Sequence, residues 1–301
     1  MFGVYFGKYL MDEGIIPEEG YYGLLEATRN SKVKMGLLAV ESGLMTEEQV
    51  AEVNMLQQQQ DMRFGDIAVE KGYLTEDDVA DLLDGQGDSY LLFIQAMVES
   101  GLMDLDDIKT HLQAYRRAKH LSPMDLEAIK SGDVDRIVPV FMKDNSIPMQ
   151  VKEYVYLTSR NIVRFVDRFF RMEKLEALTE YEAECIVAQS LHGDSSYLTA
   201  FCGSKEGIKA IADGFVEGMA GMDQSFNYEA LDVATEFLNV NNGLYVTGLS
   251  SNNINEVSDS PIIKNEKTKI TAVGDFYRIP LFIEGIPVDL IVCFNDGWGI
   301  D

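Results

Sequence analysis

Apolar and polar positions in the first 120 residues repeat with a fixed period. "FGKYLMDEGII", "MGLLAVESGLM", "FGDIAVEKGYL" and "FIQAMVESGLM" are copies of one phrase, and their glycines Gly14, Gly43, Gly72 and Gly101 fall 29 residues apart. The first three copies also open on a glycine: Gly7, Gly36 and Gly65. Between the two glycines the pattern predicts a helix of about two turns. The second glycine ends it, being free to adopt a left-handed backbone. One apolar residue then packs into the turn, and Thr46 or Thr75 caps a second amphipathic helix with acidic residues in its first turn. The expectation is a four-fold helix–turn–helix array whose units are each too small to bury their own apolar face.

The period stops at Tyr115. "PMDLEAIKSGD" reads as a short helix and "RIVPVFM" as a strand, with Pro123, Gly132, Pro139 and Pro148 as punctuation. Arg116, Arg117 and Lys119 read as a solvated helix end. The second half alternates between two periodicities. "VKEYVYLTSRNIVRFVDRFFRMEK" has the 3.6-residue spacing of an amphipathic helix, with Tyr154, Leu157, Ile162, Phe165, Val166 and Phe169 on one side. "AECIVAQSLHG" and "SSYLTAFCG" read as strands, and "SKEGIKAIADGFVEGMAG" as a helix. "KTKITAVGDFYRIPLFIEGIPVDLIVCF" reads as a hairpin of two long strands turning at Glu284-Gly285. This order predicts an all-α repeat domain over 1–118, a connector over 119–149, and over 150–301 an α+β domain with an antiparallel sheet backing two long helices.

One helix in that second domain raises a chemical question. In "LDVATEFLNVNNG", Asp232, Glu236 and Asn239 fall within about 60° of each other on a helical projection. Leu231, Val233, Ala234, Phe237 and Leu238 take the opposite arc. An ordinary solvated face satisfies that spacing by itself. Asn241, Asn242 and Gly243 are poor helix formers and predict a weakened or ending helix.

Asp232, Glu236 and Asn239 are followed 22 positions later by Pro261 in "VSDSPIIKN". This pattern is very similar to the signature of the CheC/CheX/FliY phosphatases, which dephosphorylate CheY-like response regulators. The resemblance covers roughly Met149 to Phe294. It implies that Asn239 orients the hydrolytic water, that Glu236 docks on the receiver's lysine, and that Asp232 is the upstream polar member. Pro261 would shape the turn. The other long helix, "TSRNIVRFVDRF", has no Glu-x2-Asn, so one site is expected, as in the CheX branch. The resemblance implies no metal ligand and no cofactor in the protein itself, since Mg²⁺ belongs to the phosphorylated receiver, and it is compatible with a homodimer.

The repeats resemble the N-terminal MshEN-type domains of type II secretion and pilus ATPases. The second copy runs Lys34-Met35-Gly36 to Gln57 and the third Arg63-Phe64-Gly65 to Gln86, five residues apart. In that family such tandems bind cyclic di-GMP in some members and only fold in others, and both readings stand here. Lys34 replaces an arginine of the pattern, and a lysine offers no planar fork.

Charge and composition narrow the partners. The 301 residues include 50 acidic and 25 basic side chains, a formal charge of -25, which opposes nucleic acid and anionic lipid. No apolar run reaches membrane-spanning length, and "MFGVYFGKYLMDEG" does not read as a signal peptide. Cys185, Cys202 and Cys293 are widely spaced and predict buried, reduced thiols in a cytoplasmic setting. The absence of a G-x-x-x-x-G-K-[ST] loop excludes a secretion motor. Two function classes lead: a receiver phosphatase with a regulatory repeat domain, and a non-enzymatic adaptor that binds a receiver and senses cyclic di-GMP or a protein. A third, an assembly factor for secretion or pilus machinery, rests on the repeats alone.

Overall fold

Gly14, Gly43, Gly72 and Gly101 adopt φ of 69°, 69°, 72° and 69°, and each closes a helix in the same way. After α3 (Met35–Glu41) the Gly43 N–H donates to the Val40 carbonyl at 2.9 Å and the Leu44 N–H to the Ala39 carbonyl at 2.9 Å. This pair of bonds answers the orphan carbonyls of a helix end and requires a left-handed residue between them. Ile16, Met45, Leu74 and Met103, two residues after each glycine, are buried plugs of the turn. The next helix is capped as its sequence asks: Gln49 N–H donates to Thr46 Oγ1 at 3.3 Å and Asp78 N–H to Thr75 Oγ1 at 3.1 Å.

The computed structural model describes residues 1–29, 31–59, 62–84, 88–218, 229–250, 254–295 and 297–301. The chain divides into two units, Met1–Asp133 and Val134–Asp301. In the first, the repeats are the pairs α1 (Phe2–Asp12) with α2 (Glu18–Arg29), α3 with α4 (Glu47–Gln59), α5 (Phe64–Glu70) with α6 (Glu76–Asp84), and α7 (Ser89–Glu99) with α8 (Leu105–Ala118). A capped helix, α9 (Pro123–Ser131), follows.

The opening glycines are contact points between the two helices of a pair. A Cβ at Gly36 would lie 2.6 Å from Val50 Cγ1, and one at Gly65 would lie 3.0 Å from Val79 Cγ1. At Gly7 it would meet Phe93 of the fourth copy at 2.7 Å as well as Tyr21 of its own pair at 3.0 Å. Tyr21, Val50 and Val79 are themselves 29 residues apart. Nor do the copies stack only on their sequence neighbours. α1 and α2 pack on α7, and α3 packs on α5 and α6. Copies one and four therefore form one pair and copies two and three another, with α3 against α7 joining them. Phe2, Phe6 and Tyr9 of the first copy meet Phe93 and Tyr115 of the fourth, with ring centroids 5.2–6.0 Å apart across the pair.

The second unit begins with α10 (Val134–Phe141), which takes up most of the predicted strand "RIVPVFM". Ile137 and Val138 are buried in a helix that packs on α11 (Met149–Phe165), so tertiary burial overrides the β-propensity of a β-branched run. α11 stops at Phe165, and Val166 and Phe169 lie beyond it.

The sheet is antiparallel throughout, in the order β1 (Arg171–Met172), β7 (Thr268–Ile283), β8 (Ile286–Cys293), β4 (Ser196–Gly203), β3 (Cys185–Gly193), β5 (Glu256–Ser258). β2 (Glu176–Ala183) and β9 (Trp298–Ile300) pair with β7, and β6 (Ile262–Lys264) with β3. The predicted hairpin is present: Ile283 faces Ile286 across Glu284 and Gly285, whose φ of 50° and 82° give a turn matched to strand twist. β7 is long enough to serve four partners, β2 and β9 toward its start and β8 and β1 toward its end.

β3 and β4 are buried on both faces. One face, with Ile186, Ala188, Leu198, Ala200 and Cys202, packs with residues of β7 and β8. The other receives α12 (Lys205–Gly218) and α13 (Ala230–Ser250). Gly214 and Gly218 let α12 pass close to the end of α11, where a Cβ at Gly218 would fall 2.2 Å from the Phe165 carbonyl oxygen. All three cysteines are buried and free. No described helix is long and apolar enough to cross a membrane.

Gly36→Ala and Gly43→Ala should each destabilise the protein by roughly 1–3 kcal/mol, for different reasons. In a Val50→Ala background the Gly36→Ala loss should shrink, while the Gly43→Ala loss should persist. Urea denaturation of the double-mutant cycle reads this, and equal coupling for both glycines would refute it.

Candidate functional site

Asp232, Glu236 and Asn239 lie on α13, and their neighbours Ala234, Phe237 and Leu238 are fully buried. The helix does not end at the asparagine pair. It continues to Ser250, with Asn241 and Asn242 at 0% exposure. The sequence expectation of a fraying helix fails here because both amides find buried partners. Poor intrinsic propensity is outweighed by paired polar contacts.

Those partners form a ladder across three elements. From α11, Asn161 Nδ2 donates to Asn241 Oδ1 at 2.8 Å. Asn241 Nδ2 donates to Tyr154 Oη and to Thr158 Oγ1, both at 3.0 Å. Tyr154 Oη donates to Asn242 Oδ1 at 2.6 Å. Asn242 Nδ2 then donates to Thr199 Oγ1 of β4 at 3.0 Å and to Gln189 Oε1 of β3 at 2.8 Å. Burial pushes the Tyr154 hydroxyl up to about 12, so it remains a neutral donor and acceptor.

The ladder emerges at the surface at Asn239. Gln189 Nε2 donates to Asn239 Oδ1 at 2.8 Å and to the Asp259 main-chain oxygen at 2.9 Å. Asn239 Nδ2 donates to Glu236 Oε2 at 3.3 Å. Asn239 is half-buried and Glu236 exposed. The site therefore joins a carboxylate and a carboxamide, with the amide held from beneath. Among the described residues, no hydrogen bond or ion pair joins Asp232 to either. It lies in the first turn of α13, where the helix dipole favours a carboxylate.

Pro261 is half-buried between β5 and β6, which pair with β3 on either side of Gln189 and Ser190. In that gap the Asp259 N–H donates to the Ser190 carbonyl at 2.9 Å, and Ser190 Oγ donates to Asp259 Oδ2 at 2.8 Å. The Ser190 hydroxyl first, and then His192 with its Nδ1 3.0 Å from Oδ1, hold the Asp259 carboxyl below its ordinary range. Gln189 and Asp259 escape the sequence reading, and Asn242 reads there as a poor helix former alone. The available signal was a glutamine inside the apolar run "CIVAQSL".

The nucleotide-site expectations fall in the repeat unit. Lys34, Gly36 and Gln57 line a pocket of about 390 Å³, together with Phe64, Gln95 and Glu99. Lys34 Nζ is 2.7 Å from Glu99 Oε1, and Gln57 Nε2 donates to the Met62 carbonyl at 3.3 Å. Arg63 is exposed at the start of α5, and Gly65 is turned toward Val79. Gln86 lies outside the described residues. Among the described residues no group of His, Cys, Asp and Glu side chains could hold a metal ion.

No family model and no curated protein matches the chain. Several solved structures resemble about half of it. A chemotaxis protein CheX from Desulfovibrio desulfuricans is 14% identical, covering 49% of this chain and 100% of its own, with a TM-score of 0.40. A putative chemotaxis protein from Desulfovibrio vulgaris Hildenborough is 16% identical, with coverages of 50% and 99% and a TM-score of 0.40. The CheX–CheY–BeF3–Mg²⁺ complex from Borrelia burgdorferi gives 12% identity, coverages of 49% and 98%, and a TM-score of 0.37. Likeness at this level assigns no residue a role, and the chemistry below is argued from the site itself.

Tyr154→Phe should lower stability by about 1–3 kcal/mol, because it removes a donor to Asn242 and an acceptor from Asn241 inside a buried network. Asp232→Asn should stay within about 0.5 kcal/mol. Urea unfolding of both variants checks this, and a Tyr154→Phe protein as stable as wild type would show that the ladder contributes little.

Proposed function

We propose that the second unit is a phosphatase for the aspartyl phosphate of a CheY-like receiver domain. The observation that carries this reading is the outward-facing Glu236–Asn239 pair, whose carboxamide is held in one orientation by Gln189. An acyl phosphate is already activated toward water, so its hydrolysis needs positioning and electrostatics more than acid–base chemistry. A carboxamide meets that need. Its oxygen can accept from a water while its NH₂ donates to a phosphoryl oxygen, and it brings no charge to repel the anion.

In this reading α13 docks on the receiver. Glu236 turns from Asn239 to the receiver's active-site lysine, which fixes the register. Asn239 holds a water in line with the breaking bond. The water oxygen bonds to phosphorus, the bond from phosphorus to the aspartyl oxygen breaks, the receiver regains its aspartate carboxylate, and inorganic phosphate leaves with the protons of the water. The Mg²⁺ that neutralises the phosphoryl oxygens belongs to the receiver, the substrate of the reaction. The strongly acidic chain suits a partner with a basic or mixed face. The repeat unit would target or regulate the phosphatase.

Phosphate release from a magnesium-loaded, phosphorylated receiver of the same genome tests the reading. Wild type should accelerate release. Asn239→Ala should lower that rate by about a hundred-fold with receiver binding intact, and Glu236→Ala should weaken binding. A wild-type protein that binds the receiver without shortening its lifetime would replace the phosphatase with an adaptor.

A further inference from the structure

Gln189 reaches Asn239 from the sheet, and the chemistry of its partners leaves one assignment for every atom. The Asp259 main-chain oxygen can only accept, so the Gln189 atom 2.9 Å from it is the NH₂ nitrogen. The second hydrogen of that nitrogen points at Asn239, so the Asn239 atom 2.8 Å away is its oxygen. Gln189 Oε1 can then only accept, so the Asn242 atom 2.8 Å from it is Nδ2, and Asn242 Oδ1 is left to accept from the Tyr154 hydroxyl. A main-chain carbonyl, able only to accept, thus fixes the outermost amide of the ladder through Gln189.

We infer that Gln189 is a positioning residue that keeps the Asn239 carboxamide in one of its two flips, with the NH₂ turned outward toward the phosphoryl group. The inference rests on the phosphatase reading and deepens it. In the free protein Glu236 favours the same flip by accepting from Asn239 Nδ2. Once Glu236 is engaged by the receiver that restraint is gone, and among the described contacts Gln189 alone still holds the amide. Gln189 leaves one lone pair of Asn239 Oδ1 for a water, so the restraint and the catalytic contact coexist. An amide free to flip would present its oxygen to the anionic phosphoryl group for part of the time, and turnover would fall while docking remained.

Two substitutions and one spectroscopic measurement test this. Gln189→Met keeps the volume and removes both donor and acceptor. It should lower phosphate release about ten-fold and leave receiver affinity within about two-fold. Gln189→Glu has no donor when ionised and regains one when protonated. Its rate, divided by that of wild type at the same pH, should rise as pH is lowered, whereas the Gln189→Met ratio should stay flat. Glu236 of α13, Asp259 beside β3, His192 of β3 and Tyr154 of α11 are the ionisable groups around the ladder and are common to every variant, which is why wild type at each pH is the reference.

Side-chain amide hydrogen exchange by NMR reads the contact without turnover. Both Gln189 amide protons should exchange slowly in wild type, and Asn239→Ala should release one of them. Unchanged turnover in both Gln189 variants would overturn the inference, as would loss of receiver affinity in step with turnover. Unaltered Gln189 exchange in Asn239→Ala would overturn it too. If Gln189→Met does not fold, the pH ratio of Gln189→Glu and the exchange measurement decide. If wild type releases no phosphate, the phosphatase reading falls, and the exchange measurement still decides whether Gln189 holds Asn239.

Discussion

A buried amide must find both a donor and an acceptor, and two adjacent ones at zero exposure make that requirement severe. Asn241 and Asn242 are the point at which α11, α13 and the sheet are tied together. Apolar packing would tolerate some rotation or sliding of α13 over β3, because it has no preferred direction. Hydrogen bonds at 2.6–3.0 Å do not. They set the rotation of the helix, and the rotation decides which residues look outward. The outward trio is thus the far side of an internal polar constraint, and α11, with no site residue of its own, takes part in aiming the site.

The sheet contributes an interruption. β5 and β6 both pair with β3 but leave Gln189 and Ser190 opposite the Asp259–Pro261 segment. Proline cannot donate to a ladder, which suits a segment where pairing lapses. The freed main-chain oxygen of Asp259 becomes the acceptor that orients Gln189. A lapse in regular pairing here serves to direct a side chain, as bulges and edges often do beside sites.

Much of this could be read from the chain. The 29-residue period, the left-handed glycines and the threonine caps were legible because each rests on local backbone chemistry. So was the Glu284-Gly285 hairpin, and so was the amphipathic side of α13. Features that depend on distant partners were hidden. "RIVPVFM" has strand propensity, and burial of Ile137 and Val138 makes it helical. β2 is largely exposed and charged, anchored by Leu178 and Tyr181, so it carries little apolar signal. Asn241 and Asn242 read as helix breakers because their partners lie more than 40 positions away in sequence.

The nested pairing of the repeats bears on how this half of the chain could change over generations. A linear stack can gain or lose a unit at an end, since each unit meets only its neighbours. Here the first copy is clasped to the fourth through Phe2, Phe6 and Tyr9, and the middle two occupy each other. A lost copy would leave the apolar face of its mate bare. Four copies here make two complete pairs. Loss of a single copy is therefore costlier than in a linear stack.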